Sequence, residues 1–318
     1  MRIFYSFLAL AVFILSVAGP YKAFINYQPL IDDPFVYIDK GDSMEKVLTK
    51  VAPISLINKT LFKLFIFIES IETFQVGEYK INNKNLNDLF ISFNKGDTFT
   101  HKFTVTEGSN IYELQENINM SSFDNDCSFL NCINTNYPFK EGILLAETYF
   151  YKKNALASSI LQKSHNSLDN RLSRIWLKKP TENPLKNKFE ALVLASIIEK
   201  EAGNNKEKSL IASVFLKRMN LGMRLQADPT IIYGLLPNFN GDIKKSDILN
   251  RKNLYNTYMI KGLPPTPISN TSISSIEAAI LSTPGDFLFF VADSPRSHYF
   301  SKTYEEHLMM IKKLGLDK

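Results

Sequence analysis

Cysteine, glycine, proline and charge of one sign are all scarce in this chain, and each scarcity closes off a class of protein. Two cysteines in 318 residues cannot build a disulfide framework. Thirteen glycines and 14 prolines leave no room for a collagen repeat, a glycine linker or a proline-rich ligand. Lys and Arg number 37 against 32 Asp and Glu, and they are scattered, so the basic footprint of a nucleic-acid binder is missing. The histidines, His101, His165, His298 and His307, show no metal-ligand spacing, and the sequence calls for neither a metal nor a cofactor. What is present is apolar: 45% hydrophobic residues against 22% charged suffice for packed cores in two modest domains.

That apolar content begins at the N-terminus. Between Arg2 and Lys22 no side chain is charged, and at 1.5 Å per residue the run reaches roughly the 30 Å of a bilayer core. Tyr5 and Tyr21 stand near its two ends, where amphipathic rings favour the interfaces. Ser16-Val17-Ala18 before Gly19 would also suit cleavage of a secretory signal, but the apolar run exceeds a usual signal core, so residues 1–22 read as an uncleaved anchor. Either way the remainder lies outside the cytoplasm. Cys127 and Cys132 suit that compartment as a local disulfide or as two buried thiols, and neither reading is catalytic.

Past the anchor, Phe35–Ile38 reads as a strand, Met44–Val51 and Leu56–Ile71 as helices, Gly77–Ile81 as a strand and Asn85–Phe93 as a helix. This makes a small α+β module without any chemical cluster. A strand His101–Val105, a helix Asn110–Asn119, an apolar stretch Glu141–Phe150 with embedded carboxylates and a helix Ala155–Trp176 follow. The basic cluster Lys178, Lys179, Lys186 and Lys188 reads as a solvated loop face.

Phe189–Ala202 (FEALVLASIIEKEA) carries the chemistry. An almost wholly apolar helix ends in Glu199-Lys200-Glu201 and is closed by Gly203-Asn204. Glu201 shares a face with Leu194 and Ile198, where lost hydration and the negative end of the helix dipole both push a carboxyl pKa upward. A carboxylic acid still protonated near neutrality can serve as a general acid toward a poor leaving group such as a glycosidic oxygen. The structural alternative is that one glutamate pairs with a nearby base and the other caps a packed helix end. Downstream, Met223–Gly234 supplies amide, carboxylate, hydroxyl and phenol groups suited to a sugar, and Tyr255-Asn256-Thr257-Tyr258 precedes a rigid turn at Gly262–Pro265. Asp228, directly before Pro229, reads as a helix N-cap.

These segments carry a resemblance. Ala195–Glu201, Ala212–Phe215 with Arg218, Gly222–Gln226 with Asp228-Pro229-Thr230, Tyr255–Tyr258 and Gly262–Pro265 resemble the successive motifs of the MltG (YceG-like) endolytic murein transglycosylases. The likeness extends upstream to Thr106-Glu107-Gly108 and Glu141-Gly142, and downstream to His298, Phe300 and Glu306-His307. It implies an α+β fold with a single transmembrane helix (1–22), a LysM-like module (34–97) and a mixed α+β catalytic domain (98–318). It further implies cleavage between N-acetylmuramic acid and N-acetylglucosamine within nascent peptidoglycan strands, leaving 1,6-anhydro ends and terminating elongation. The catalytic glutamate is then the second of the triplet, Glu201. Gln226, Thr230, Tyr255, Asn256 and Tyr258 are the candidates for holding the sugar. No metal or cofactor is implied. The partners are glycan strands, the cytoplasmic (inner) membrane and glycan synthases, with the catalytic domain facing the periplasm or cell exterior. The sequence departs from the family where Ala146-Glu147 replaces a usual Pro-Asp, and where Asn270-Thr271 and Ser282-Thr283 lack common prolines. The rival expectation from another functional class is a membrane-anchored, non-catalytic peptidoglycan-binding scaffold.

Overall fold

The computed structural model describes residues 16–316. Most of the expected anchor, 1–22, lies outside that range; among the described residues no helix is long and apolar enough to cross a membrane. The chain divides into two compact units, one running to His101 and taking in Phe150–Asn154, the other comprising Lys102–Tyr149 and everything from Ala155 onward.

In the first unit, helical residues 16–25 (α1) lead to β1 (Phe35–Ile38), α2 (Met44–Val51), α3 (Leu56–Ile68), β2 (Gly77–Lys80) and α4 (Leu86–Lys95). β1 and β2 pair antiparallel, with Val36 opposite Tyr79. Side-chain caps set the helix starts: Ser43, Ser55 and Asn85 each accept a backbone N–H three residues on. The expected helix to Ile71 stops at Ile68, because Ser70 adopts a left-handed φ of 53° that a helix cannot continue through. The core is aromatic. Phe90 is fully buried, with ring centroids of Phe62, Phe65 and Phe74 at 4.9, 5.4 and 5.8 Å.

The second unit is built around α7 (Lys188–Glu201), in which every residue from Ala191 to Ile198 is buried. Each large aliphatic side chain so placed contributes about 1.5–3 kcal/mol relative to exposure. Asn187 caps its start by accepting from the Glu190 amide. Ser196 fastens its middle, its hydroxyl accepting the Ile268 N–H and its carbonyl the Ser269 hydroxyl. Before α7 come β3 (His101–Thr104), α5 (Ile111–Asn119), β4 (Thr148–Tyr151) and α6 (Ala157–Trp176). After it come α8 (Lys208–Asn220), α9 (Asp228–Tyr233), α10 (Lys245–Ile248), α11 (Ile273–Leu281), the antiparallel hairpin β5 (Phe289–Ser294) and β6 (Ser297–Ser301), and α12 (Tyr304–Leu314). Helices α6, α8, α9 and α11 all pack on α7. Cys127 and Cys132 are disulfide-bonded, which settles the choice left open by the sequence.

Phe90→Ala would leave a void among five aromatic rings, and should lower the stability of the first unit by about 3–5 kcal/mol in denaturant unfolding of the intact chain. A loss below about 1 kcal/mol would show that this core is not the one that holds the unit together.

Candidate active site

The two glutamates at the end of α7 have opposite fates. The side chain of Glu199 is 7% exposed and meets Lys208 Nζ at 3.0 Å. Its other oxygen accepts the Ser272 amide at 2.9 Å and the Ser272 hydroxyl at 2.6 Å. Burial alone would raise its pKa, but the Ser272 and Ser275 hydroxyls, the Ser272 amide and the Lys208 charge together hold it below the usual carboxylate range. Ser272 is the N-cap of α11, so the dipole of that helix also favours the anion. Lys208 completes the knot by donating to the hydroxyls of Ser272 and Ser274. Glu199 thus ties α7, α8 and α11 together as a structural anion.

No hydrogen bond holds the carboxyl of Glu201 among the described residues. Burial pushes its pKa up to about 8, the negative charge of Asp228 adds to the shift, and the positive charge of Arg218 opposes it. The carboxyl is therefore protonated at neutral pH. It faces a cleft of about 410 Å³ whose walls include Arg218, Gln226, Asp228, Tyr258, His298 and His307.

Each wall is fixed by an identifiable contact. The chain leaves α7 through Ala202 in an extended conformation and reaches Gly203, where any Cβ would stand 2.7 Å from the backbone of Arg296. Only glycine lets the β5–β6 turn come this close. Asn204 then donates to the Arg296 carbonyl at 2.6 Å. Glu207 accepts the His298 backbone N–H at 2.9 Å and lies 3.0 Å from its Nδ1, holding the ring on the cleft wall. Arg218, 6% exposed, donates to the carbonyls of Leu288 and Leu225, and its guanidinium lies 5.5 Å from the Phe289 ring. Burial lowers its pKa below the usual arginine value without removing the charge. His307 stacks on Phe289 at 5.2 Å, and its buried Nδ1 has no partner among the described residues. Burial and the Arg218 charge both lower its pKa, so it is neutral at pH 7.

The structure brings two of the five sugar-holding candidates to Glu201. Gln226 lines the cleft from a left-handed φ of 53°, a conformation held by its N–H to the Thr257 carbonyl. Tyr258 donates its hydroxyl to Asp228 at 2.7 Å. Thr230 is wholly buried and bonds the Ala227 carbonyl and the Thr257 hydroxyl. Asn256 is equally buried, its amide donating to the carbonyls of Asp247, Ile248 and Asn250. Tyr255 packs against Tyr233, ring centroids 4.7 Å apart and tilted by 59°, and meets the Thr266 hydroxyl, in a separate cluster around Glu141. Glu141 there accepts N–H bonds from Ile111 and Gly142 and the Tyr233 hydroxyl, and burial raises its pKa to about 7.

Asp228 corrects the sequence reading. Ala227 is the N-cap of α9, Asp228 is its first helical residue, and no side-chain cap bond forms. The carboxylate points instead at Tyr258 and the cleft. Sequence reasoning also assigned no cleft role to Glu207 or Arg218. Arg218 had a signal, a cation on the buried face of an apolar helix, whereas Glu207 becomes meaningful only through a contact 91 residues away. Among the described residues no group of three or more His, Cys, Asp and Glu is placed to hold a metal ion.

Comparison with known proteins agrees in extent with this layout. The profile of the YceG-like family matches residues 36–313. A Bacillus subtilis (strain 168) protein named endolytic murein transglycosylase is 26% identical over 299 residues, 86% of this chain and 82% of that protein. A Streptococcus pneumoniae protein of the same name is 32% identical over 171 residues, which span 52% of this chain and 31% of that protein. The crystal structure of a putative YceG-like protein from Listeria monocytogenes matches with a TM-score of 0.58 and 27% identity, over 87% of this chain and 98% of that one.

The two glutamates should respond oppositely to neutralisation. Glu199→Gln leaves Lys208 buried without its partner and should cost about 3–5 kcal/mol at pH 7. For Glu201 the folded-state pKa lies above the unfolded one, so its contribution is fully present below about pH 4.5 and is lost as pH rises through about 8. Glu201→Gln should therefore match the wild type near pH 4 and exceed it at pH 9 by up to about 3 kcal/mol, allowing for solvent in the cleft. Thermal melts of both variants across that range check the pair, and a Glu201→Gln protein less stable at pH 9 would contradict the assignment.

Proposed function

This chain belongs to the YceG-like family, and from that premise we propose that it is an endolytic murein transglycosylase, a lyase that cuts peptidoglycan glycan strands. The observation that carries the reading is a single protonated, unpartnered carboxyl, Glu201, open to a cleft large enough for a sugar unit. Glu201 donates its proton to the glycosidic oxygen between N-acetylmuramic acid and N-acetylglucosamine as that bond breaks. It then accepts the proton of the muramic C6 hydroxyl, whose oxygen closes on the anomeric carbon. No water enters the balance: one C–O bond breaks, one forms, and the new end is 1,6-anhydro.

The neighbours suit both half-steps. Asp228 and the buried surroundings keep Glu201 protonated beforehand, and Arg218 steadies the carboxylate once the proton has left. Tyr258, by donating to Asp228, orients that second carboxyl group in a cleft where positive charge develops on the sugar. Gln226 and Tyr258 hold the sugar at the cleft wall; Thr230 and Asn256 support the loop beneath, and Tyr255 belongs to the adjoining cluster. The uncharged run within residues 1–22 anchors the chain in the cytoplasmic membrane, 34–97 is a LysM-like module, and 98–318 is the catalytic domain. It faces the periplasm or cell exterior, where glycan synthases present nascent strands.

One observation favours a second reading. Asp228 supplies the additional carboxylate that a hydrolase of the retaining or inverting kind requires, so a muramidase admitting water differs only in its product.

With uncrosslinked glycan strands, the full-length chain should release internal fragments ending in anhydro-muramic acid, one water lighter than hydrolytic products by mass spectrometry. Glu201→Gln should reduce the rate by about 100- to 10,000-fold. Reducing ends would favour the muramidase, and bound but intact strands would favour a scaffold. Because the acid form is required, kcat/KM should fall as pH rises through about 8; a rate that climbs steadily to pH 10 would rule out Glu201 as the proton donor.

A further inference from the structure

A second cavity in the larger unit, of about 340 Å³, is lined without any of the cleft residues. Four of its residues, His165, Asn166, Asp169 and Asn170, come from successive turns of α6, and Asn134, Asn136 and Tyr137 face them from the loop after the disulfide. The loop is fixed before any ligand arrives. The Cys127–Cys132 bridge closes its base, and Gln162 grips Asn134 at both backbone groups, accepting its N–H at 2.8 Å and donating to its carbonyl at 3.2 Å. Tyr137 donates to Asp169 at 2.9 Å, and its ring stands edge-on to His165.

His165 gives the cavity a direction. It is 5% exposed, and its Nδ1 lies 2.9 Å from the Ile143 carbonyl, which can only accept, so Nδ1 carries the proton. Nε2 is left without a protein partner among the described residues in a ring that lines the cavity. Nε2 is not one of the buried unpaired atoms, so it stands open to the cavity, where an incoming hydroxyl or amide can reach it. The exposed rim adds further polar groups: the side chains of Asn136 and Asn170 take part in no hydrogen bond among the described residues, and one Asp169 oxygen stays unengaged by Tyr137.

The lining selects the ligand class. Neither arginine nor lysine lines it, and two lysines beside it are engaged, Lys188 by Asp169 and Ser173 and Lys140 by the Ile133 carbonyl, so a phosphate has no cradle. One carboxylate and one imidazole are too few for a structural cation site. Amides, a carboxylate and an imidazole acceptor around aromatic edges fit the hydroxyls and amides of a neutral sugar. We propose that this cavity is a second glycan-binding site, holding one hexosamine unit of the same strand that enters the cleft. The proposal rests on the reading of the protein as a glycan-strand enzyme. Its consequence is bivalent attachment, which raises affinity for strands long enough to reach both sites and leaves short oligomers unaffected.

The test uses the full-length Glu201→Gln chain, which cannot turn over, with chitohexaose as probe and hydrogen–deuterium exchange as readout. Protection is expected both in peptides covering 134–137 and 163–171 and in those covering 223–233 and 255–258. Asn136→Ala/Asn170→Ala, at non-catalytic positions, should abolish the first protection alone. In the catalytically intact chain the same pair should raise KM for long strands by about five-fold or more while leaving kcat unchanged. Protection at the cleft only would overturn the second site and leave the proposed activity standing. Protection by an isolated stem peptide at 134–171, with none from chitohexaose, would overturn the sugar assignment, and protection by neither at either place would remove both readings.

Discussion

Helix α7 is buried along two full turns, and the glutamates at its end stand where a carboxylate is poorly hydrated. The two glutamates at its end must each find a way to tolerate burial, and there are only two ways: gather compensating donors, or keep the proton. Glu199 takes the first, recruiting Lys208 from α8 and Ser272 from α11, and the helices are thereby locked around α7. Glu201, two residues further on, takes the second and remains a neutral acid. The structural anion and the neutral acid are two answers to one electrostatic constraint, separated by the 200° that two residues turn on a helix.

Much of this was legible in the sequence because it is local. The first unit's helix starts follow from Ser43, Ser55 and Asn85, whose short polar side chains cap the next turn. The glutamate pair could be singled out because an apolar stripe ending in acids is a rare and costly pattern, but the choice of Glu201 over Glu199 came from the family resemblance. What failed was long-range or ambiguous chemistry. Asp-Pro reads as a cap followed by a first helical proline, but the loop through Gln226 shifts the register by one residue, and the carboxylate is freed for Tyr258. Thr230 and Asn256 have the groups a sugar needs, and those same groups are what an irregular backbone needs. Asn256 spends its amide on three carbonyls at the end of α10. The hairpin β5–β6 escaped notice because Phe289–Ser294 changes from partly buried to exposed along its length and lacks clean alternation.

The cleft is assembled from elements whose only common feature is their route back to α7. Gly203 and Asn204 receive the β5–β6 turn, Glu207 captures His298 on that hairpin, and Arg218 reaches the Leu288 carbonyl at its entrance. A side chain at Gly203 would push the turn outward and take His298 with it, although neither residue touches Glu201 through any hydrogen bond among the described residues. Arg218 and His307 share the Phe289 ring, so the buried cation and the neutral imidazole are placed by one aromatic face. The positions of the walls are thus consequences of backbone approach and aromatic packing, settled before any polar group meets a ligand.

In the mechanism proposed above Glu201 acts first as an acid and then as a base, a task best served by a pKa close to the working pH, since a stronger shift in either direction would slow one half-step. Glu201 stands near that compromise through opposed influences. Burial and Asp228 favour the proton, while Arg218 favours its departure. Its neighbours are themselves shifted by the site: burial lowers the Arg218 pKa, and burial followed by the hydrogen bond to Asp228 raises that of Tyr258. The surroundings that keep Glu201 protonated thus also hold a cation, Arg218, that opposes the shift and would meet the carboxylate once the proposed proton transfer has occurred.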